Sequence, residues 1–123
     1  MNQFIPLDQA RQMTALYRAQ KEGILSSVFR GHDLLSICET FDAQALLSVL
    51  NTPGCASLRI YFGMNDDFKV HAILVGVNEN DEDMLPQTLS NSLRASSNGT
   101  TTGIIENGIV CPPTCPPSSP LNS

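Results

Sequence analysis

Two cysteines, Cys111 and Cys115, sit in the run Cys-Pro-Pro-Thr-Cys-Pro-Pro near the end of this 123-residue chain. Half of the eight prolines fall in that run. Paired prolines favour extended polyproline geometry, so the two thiols are displayed by a segment that forms neither helix nor sheet. Such a segment could give zinc two soft ligands, close a disulfide or act as a redox pair. Structural zinc wants four ligands, and the other candidates, Cys38, Cys55, His32 and His71, are not paired at ligand spacing. The favoured reading is two small apolar residues pinning a C-terminal tail to the domain, with a disulfide or zinc as alternatives. Cys38 and Cys55 read as buried free thiols.

The second set of chemical side chains is Arg59, Tyr61 and His71, in the segment CASLRIYFGMNDDFKVHAILVGVNE. Together they could bind an anionic ligand, and His71 could serve as a general base. Register decides whether they meet. A two-residue turn at Asn65-Asp66 places Ile60 opposite His71 and Leu58 opposite Ile73, which puts His71 on the face of Ile60 and Phe62, away from Arg59 and Tyr61. A structural histidine is then the favoured role. The acidic stretch Asn78 to Asp83 resembles a calcium loop only superficially. Its sixth position is Asp83 instead of the turn glycine, its twelfth is Leu89 instead of glutamate, and it reads as a solvated loop. No phosphate-cradling glycine loop is present.

The elements that must position these residues follow from periodicity. Apolar residues at helical spacing, Pro6 at the entrance and Gly23 at the exit predict a helix from about Leu7 to Glu22 that covers the sheet. Ile24 to Phe29 is too apolar for a free loop and reads as a buried connection. Leu34 to Phe41 is a candidate strand. Asp42 is a good N-cap for a mostly buried helix that Asn51-Thr52-Pro53-Gly54 ends. The strands around Leu58 and Ile73 follow, and the apolar run Ala72 to Val77 predicts a central strand covered on both faces. If the first two strands are parallel neighbours, their crossover is right-handed. Residues 87–103, rich in Ser, Thr and Asn, predict a mobile polar loop, and the glycosylation match at Asn98 reads as accidental. Ile104 to Val110 returns to order.

A net charge of −5 and a pI near 4.7, with seven scattered Lys and Arg, argue against nucleic acid and anionic membranes as partners. The N-terminus shows neither the basic start nor the apolar stretch of a secretory signal, which predicts a cytoplasmic protein, where thiols are normally reduced. Taken together, Gly54-Cys55 through RIYFGMND, ILVGVN followed by Asp83, and CPPTC with Leu121 beyond it resemble a group of small uncharacterised bacterial proteins. That resemblance implies a shared fold and a tail that belongs to the domain, and brings no activity, cofactor or partner with it.

The expected architecture is one α+β domain over residues 1–110, two helices on a mainly antiparallel sheet of about three to five strands, with the tail 111–123 docked on it. The expected function is that of a non-enzymatic interaction or accessory protein, working with a protein partner or as a homo-oligomer and needing no cofactor. A metal or thiol-redox protein using Cys111 and Cys115 is the alternative. A small-molecule enzyme built on His71, Tyr61 and Arg59 stands third.

Overall fold

The β-branched and aliphatic run Val70–Val77 forms the strand around which the chain is arranged. The computed structural model describes residues 3–86 and 103–123. The expected mobile loop, apart from Gly103, and the Asn98 match lie outside the described residues. In chain order the elements are α1 (Leu7–Gln20), β1 (Cys38–Thr40), α2 (Ala43–Leu50), β2 (Ser57–Met64), β3 (Val70–Val77) and β4 (Ile109–Cys111), with a 3-10 turn at Ser27–Phe29. Among the described residues the strands make two antiparallel pairs, β2 with β3 and β1 with β4, so the fold is α+β. The first and second strands are therefore not parallel neighbours. The segment from Leu34 is strand only over Cys38–Thr40.

The β2–β3 register corrects the two-residue turn. Met64 closes the hairpin against Val70, Tyr61 faces Ile73, and Gly63 faces His71. The cause is the Asn65 side chain. Its Oδ1 accepts from the backbone N–H groups of Asp67 (2.9 Å) and Lys69 (3.0 Å), the Asn65 backbone N–H donates to the Lys69 carbonyl, and Phe68 turns left-handed at φ 66°. An asparagine that satisfies two amides of its own loop stabilises this wider turn over a tight one. The opposite end of β3 repeats the construction. Asn78 Oδ1 accepts from the N–H groups of Asn80 (2.9 Å) and Glu82 (3.0 Å), its N–H donates to the Glu82 carbonyl, and Asp81 takes φ 65°. That loop turns the chain back so that Asp83 bridges to Val77 and the Met84 N–H donates to the Gly76 carbonyl.

With β2 on one side, the outer edge of β3 is closed piecemeal. The Val70 N–H donates to the Leu34 carbonyl, Leu74 exchanges two hydrogen bonds with Ile105, and Met84 takes the Gly76 carbonyl. Between the first two, the Ala72 N–H donates 2.9 Å to the carboxylate of Glu39, a residue of β1. The covering of β3 read from its apolar run holds over its second half, where Leu74 to Val77 are all buried, but β3 has one full partner strand, β2, instead of a central place between two.

Asp42 caps α2 as expected, its carboxylate accepting from the Ala45 N–H at 3.1 Å. The helix buries Val49 and leaves Leu47 and Leu50 partly exposed, so it is less enclosed than its composition predicts. Val49 lies against Gly76, where an added Cβ would come within 3.2 Å of its Cγ1 and 3.1 Å of Cys55 Sγ. In α1 no residue is buried, and the helix is held by polar ties instead of covering the sheet. Tyr17 donates to the Ser36 carbonyl (2.7 Å), and Arg18 donates to the carbonyls of Leu121 (2.6 Å) and Ser123 (2.9 Å). The tail is thus anchored beyond its prolines through backbone oxygens, with the Leu121 side chain still exposed.

Gly76→Ala is expected to destabilise the protein by about 1–3 kcal/mol, because the α2–β3 contact leaves no room for a methyl group. Denaturant unfolding checks this, and an unchanged midpoint would mean that α2 is free to move off β3.

Candidate functional site

Because the true register differs from a two-residue turn by an odd number of residues, Arg59, Tyr61 and His71 share one face of the hairpin. The separation of His71 from the other two by face is thereby overturned. They still do not form one cluster. Arg59 reaches Asp83 (2.6 Å) and Asp81, and the Tyr61 hydroxyl donates to the other oxygen of Asp83. These groups lie over Val75 and Val77, each 2% exposed, and fasten the acidic loop across the hairpin. His71 lies one row beyond Tyr61, with its Nδ1 3.3 Å from Glu39 Oε2 and its Nε2 3.4 Å from Asn65.

The electrostatics of the Arg59 cluster oppose the chemistry first considered for it. The hydrogen bond to Asp83 is the main cause holding the Tyr61 phenol above its ordinary value of 10.0, and it raises Arg59 as well. Asp83 is held below 3.8, first by the Tyr61 hydrogen bond and then by Arg59. A phenol that keeps its proton is a donor at neutral pH, and a guanidinium already facing two carboxylates is a poor receptor for a further anion. The arrangement works as a clamp on the acidic loop. Asp83, read from the sequence only as the end of a solvated acidic loop, is the site residue that was missed, and its signal was its place just beyond an asparagine-led turn.

Cys111 and Cys115 are joined by a disulfide, the alternative set below free thiols in the sequence analysis. The segment is a tight turn with two cis prolyl bonds, not an extended polyproline run, and the Thr114 N–H donates to the Val110 carbonyl. Lys69 ties this turn to the hairpin by donating to the carbonyls of Pro112 (3.2 Å) and Asp33 (3.0 Å). Cys111 has no exposed surface, whereas Cys115 is exposed. Cys38 and Cys55 are free and half-buried, and Cys38 stands directly across from Cys111 in the β1–β4 pair. A disulfide withdraws both tail sulfurs from thiolate ligation, and no three His, Cys, Asp or Glu side chains gather as a metal set among the described residues.

A cleft of 610 Å³ opens between the 3-10 turn and the β2–β3 loop, with Val28, Phe29, Leu34 and Phe68 as its apolar lining and His32 and Asp67 at its rim. Phe29 and Phe68 meet edge to face, centroids 5.7 Å apart. Sequence reasoning made Ile24 to Phe29 a buried connection and, with its two-residue turn, kept Phe68 in the second strand, so it did not pair the two rings. No family model, curated protein or solved structure matches this chain.

The clamp has a defined pH window. The Asp83 contribution is present above its unfolded value and is lost as pH falls through its depressed folded pKa. The Tyr61 contribution is present below the ordinary phenol value and is lost as pH rises through its raised folded pKa. Resonances of Tyr61 followed by NMR should titrate above 10.0, and Asp83→Asn should move that titration down towards it. Equal titration in both proteins would show that the hydrogen bond does not persist in solution.

Proposed function

We propose that this chain is a non-enzymatic interaction protein that works by adding a strand to β2, and that its partner is a second copy of itself. The single supporting observation is the outer edge of β2. Odd-numbered residues of β2 hydrogen-bond to β3, so Leu58, Ile60, Phe62 and Met64 turn their backbone N–H and C=O groups outwards, where no described residue pairs with them. On the face carrying those same residues, Ile60 is 51% exposed, Phe62 80% and Met64 62%. An eight-residue strand with an unpaired edge and an apolar face is a template for another strand.

A second copy fits it without conflict. With a two-fold axis at Tyr61, Leu58 faces Met64 of the partner subunit and Ile60 faces Phe62 of the partner subunit. Arg59 faces the partner's Gly63, so no charge meets its like, and an isologous contact of this kind closes on itself. The exposed apolar side chains and strand backbone of both copies form the contact, and a specific interface needs about 1,000 Å² in total. No helix among the described residues is long and apolar enough to cross a membrane. The acidic charge of −5 disfavours nucleic acid as the partner. The cytoplasm is the proposed location, supported by the two free thiols, with the one disulfide departing from the reduced state usual there. The relationship to the small bacterial proteins with RxYFG, LVGV and CPPxC segments stands as part of the same proposal.

Size-exclusion chromatography with light scattering is expected to show a dimer. Phe62→Glu should weaken it by about a hundredfold or more, since each copy loses one buried aromatic contact, while leaving the circular dichroism unchanged. A wild-type protein that stays monomeric at high concentration would contradict this reading.

A further inference from the structure

The antiparallel pairing of β1 with β4 sets three cysteines in a row with unequal access to solvent. Cys38 is directly opposite Cys111, and the Ile37 N–H fixes that placement by donating 2.8 Å to the Cys111 carbonyl. Directly opposed residues of an antiparallel pair project to the same face with Cα atoms about 4.5–5.5 Å apart, within the range a disulfide spans. Cys111 is bonded to Cys115, is wholly buried and is the cross-strand partner of Cys38. Cys115 lies at the surface. Cys38 also borders a cleft of 170 Å³ and is half-buried.

We infer that Cys38, Cys111 and Cys115 form an internal thiol–disulfide exchange site in which Cys38 displaces Cys115 from Cys111. The step balances without an external oxidant or reductant. Cys38 loses its proton to solvent, its thiolate attacks Cys111 Sγ, the Cys38–Cys111 bond forms as the Cys111–Cys115 bond breaks, and Cys115 departs as a thiolate that solvent reprotonates. Two physical factors select this direction of attack. The attacked sulfur is the one across the strand pair, and the leaving sulfur is the one that water can stabilise as an anion, whereas a thiolate left at buried Cys111 would be desolvated.

The product presents Cys115 as a free surface thiol on a turn no longer closed by a covalent bond. That thiol is the point at which a low-molecular-weight disulfide or a cysteine of another protein would be captured. A disulfide in a cytoplasmic protein is usually one that exchanges, and this one has its exchanging thiol built into the neighbouring strand.

The test uses the full chain with Cys55→Ser, which leaves Cys38 as the one cysteine in tryptic peptide 31–59 and Cys111 with Cys115 in peptide 95–123. The protein is incubated at pH 8 without added thiol, acid-quenched, alkylated with N-ethylmaleimide and digested. The expected result is a disulfide-linked pair of those two peptides carrying one alkyl group on Cys115. Adding Cys38→Ser should abolish both the linked pair and all Cys115 alkylation. In a Cys115→Ser protein, mild oxidation with oxidised glutathione should give the intramolecular Cys38–Cys111 bond. Finding only the Cys111–Cys115 disulfide with Cys38 alkylated, or only glutathione adducts in the Cys115→Ser protein, would overturn the inference.

Discussion

The interaction on which most of the fold depends is the hydrogen bond from the Ala72 amide to the Glu39 carboxylate. A covered strand must satisfy the backbone groups on both of its edges. On its outer side β3 has no continuous partner strand, so it borrows Leu34, Ile105 and Met84 at three points and the side chain of Glu39 at a fourth. Glu39 belongs to β1 and is paired there with Val110. One carboxylate therefore joins the two sheets. It is 12% exposed, and a hydrogen bond to a charged acceptor in such a place is worth about 1.5–3 kcal/mol. Gly108 provides the space it needs: a Cβ there would lie 2.6 Å from Glu39 Cγ.

The same junction organises the chemistry. Holding β1 against β3 also holds β4, and with it the buried Cys111, beside Cys38. The Lys69 ammonium, just before β3, grips the Pro112 carbonyl and completes the attachment of the turn. On the other side of β3, the Arg59–Tyr61–Asp83 clamp closes the face above Val75 and Val77. Among the described residues, none covers the outer edge of β2 or its apolar face. The proposed exchange site lies at the junction, and the proposed self-association surface is the edge of β2.

Much of the secondary structure was legible in the sequence, because local rules decide it. Asp42 before an apolar octet gave the capped helix, the alternation in Leu58–Phe62 gave a strand, and the continuous apolar run gave the buried strand beside it. The turn between them is not legible from residue type, because an asparagine suits a tight turn and equally binds two amides of a longer one, as Asn65 does. The longer turn shifts the register by an odd number of residues and exchanges the faces, which brings Arg59, Tyr61 and His71 onto one face. The β1–β4 pairing was not legible at all. It joins segments some seventy residues apart, each three residues long, too short for alternation to show. The role of Glu39 depends on that pairing and was beyond reach for the same reason, whereas the Cys111–Cys115 bond spans only four residues and stood among the alternatives open to the sequence.

Hydrogen exchange at the Ala72 amide tests the junction most directly, comparing the wild-type chain with Glu39→Ala and Glu39→Gln. The structure predicts that Glu39→Ala speeds exchange at Ala72 well beyond any change at Leu74, whose bonds to Ile105 remain, and that Glu39→Gln, which keeps an acceptor oxygen, retains most of the protection. Undiminished protection of Ala72 in Glu39→Ala would contradict the central role given to this carboxylate.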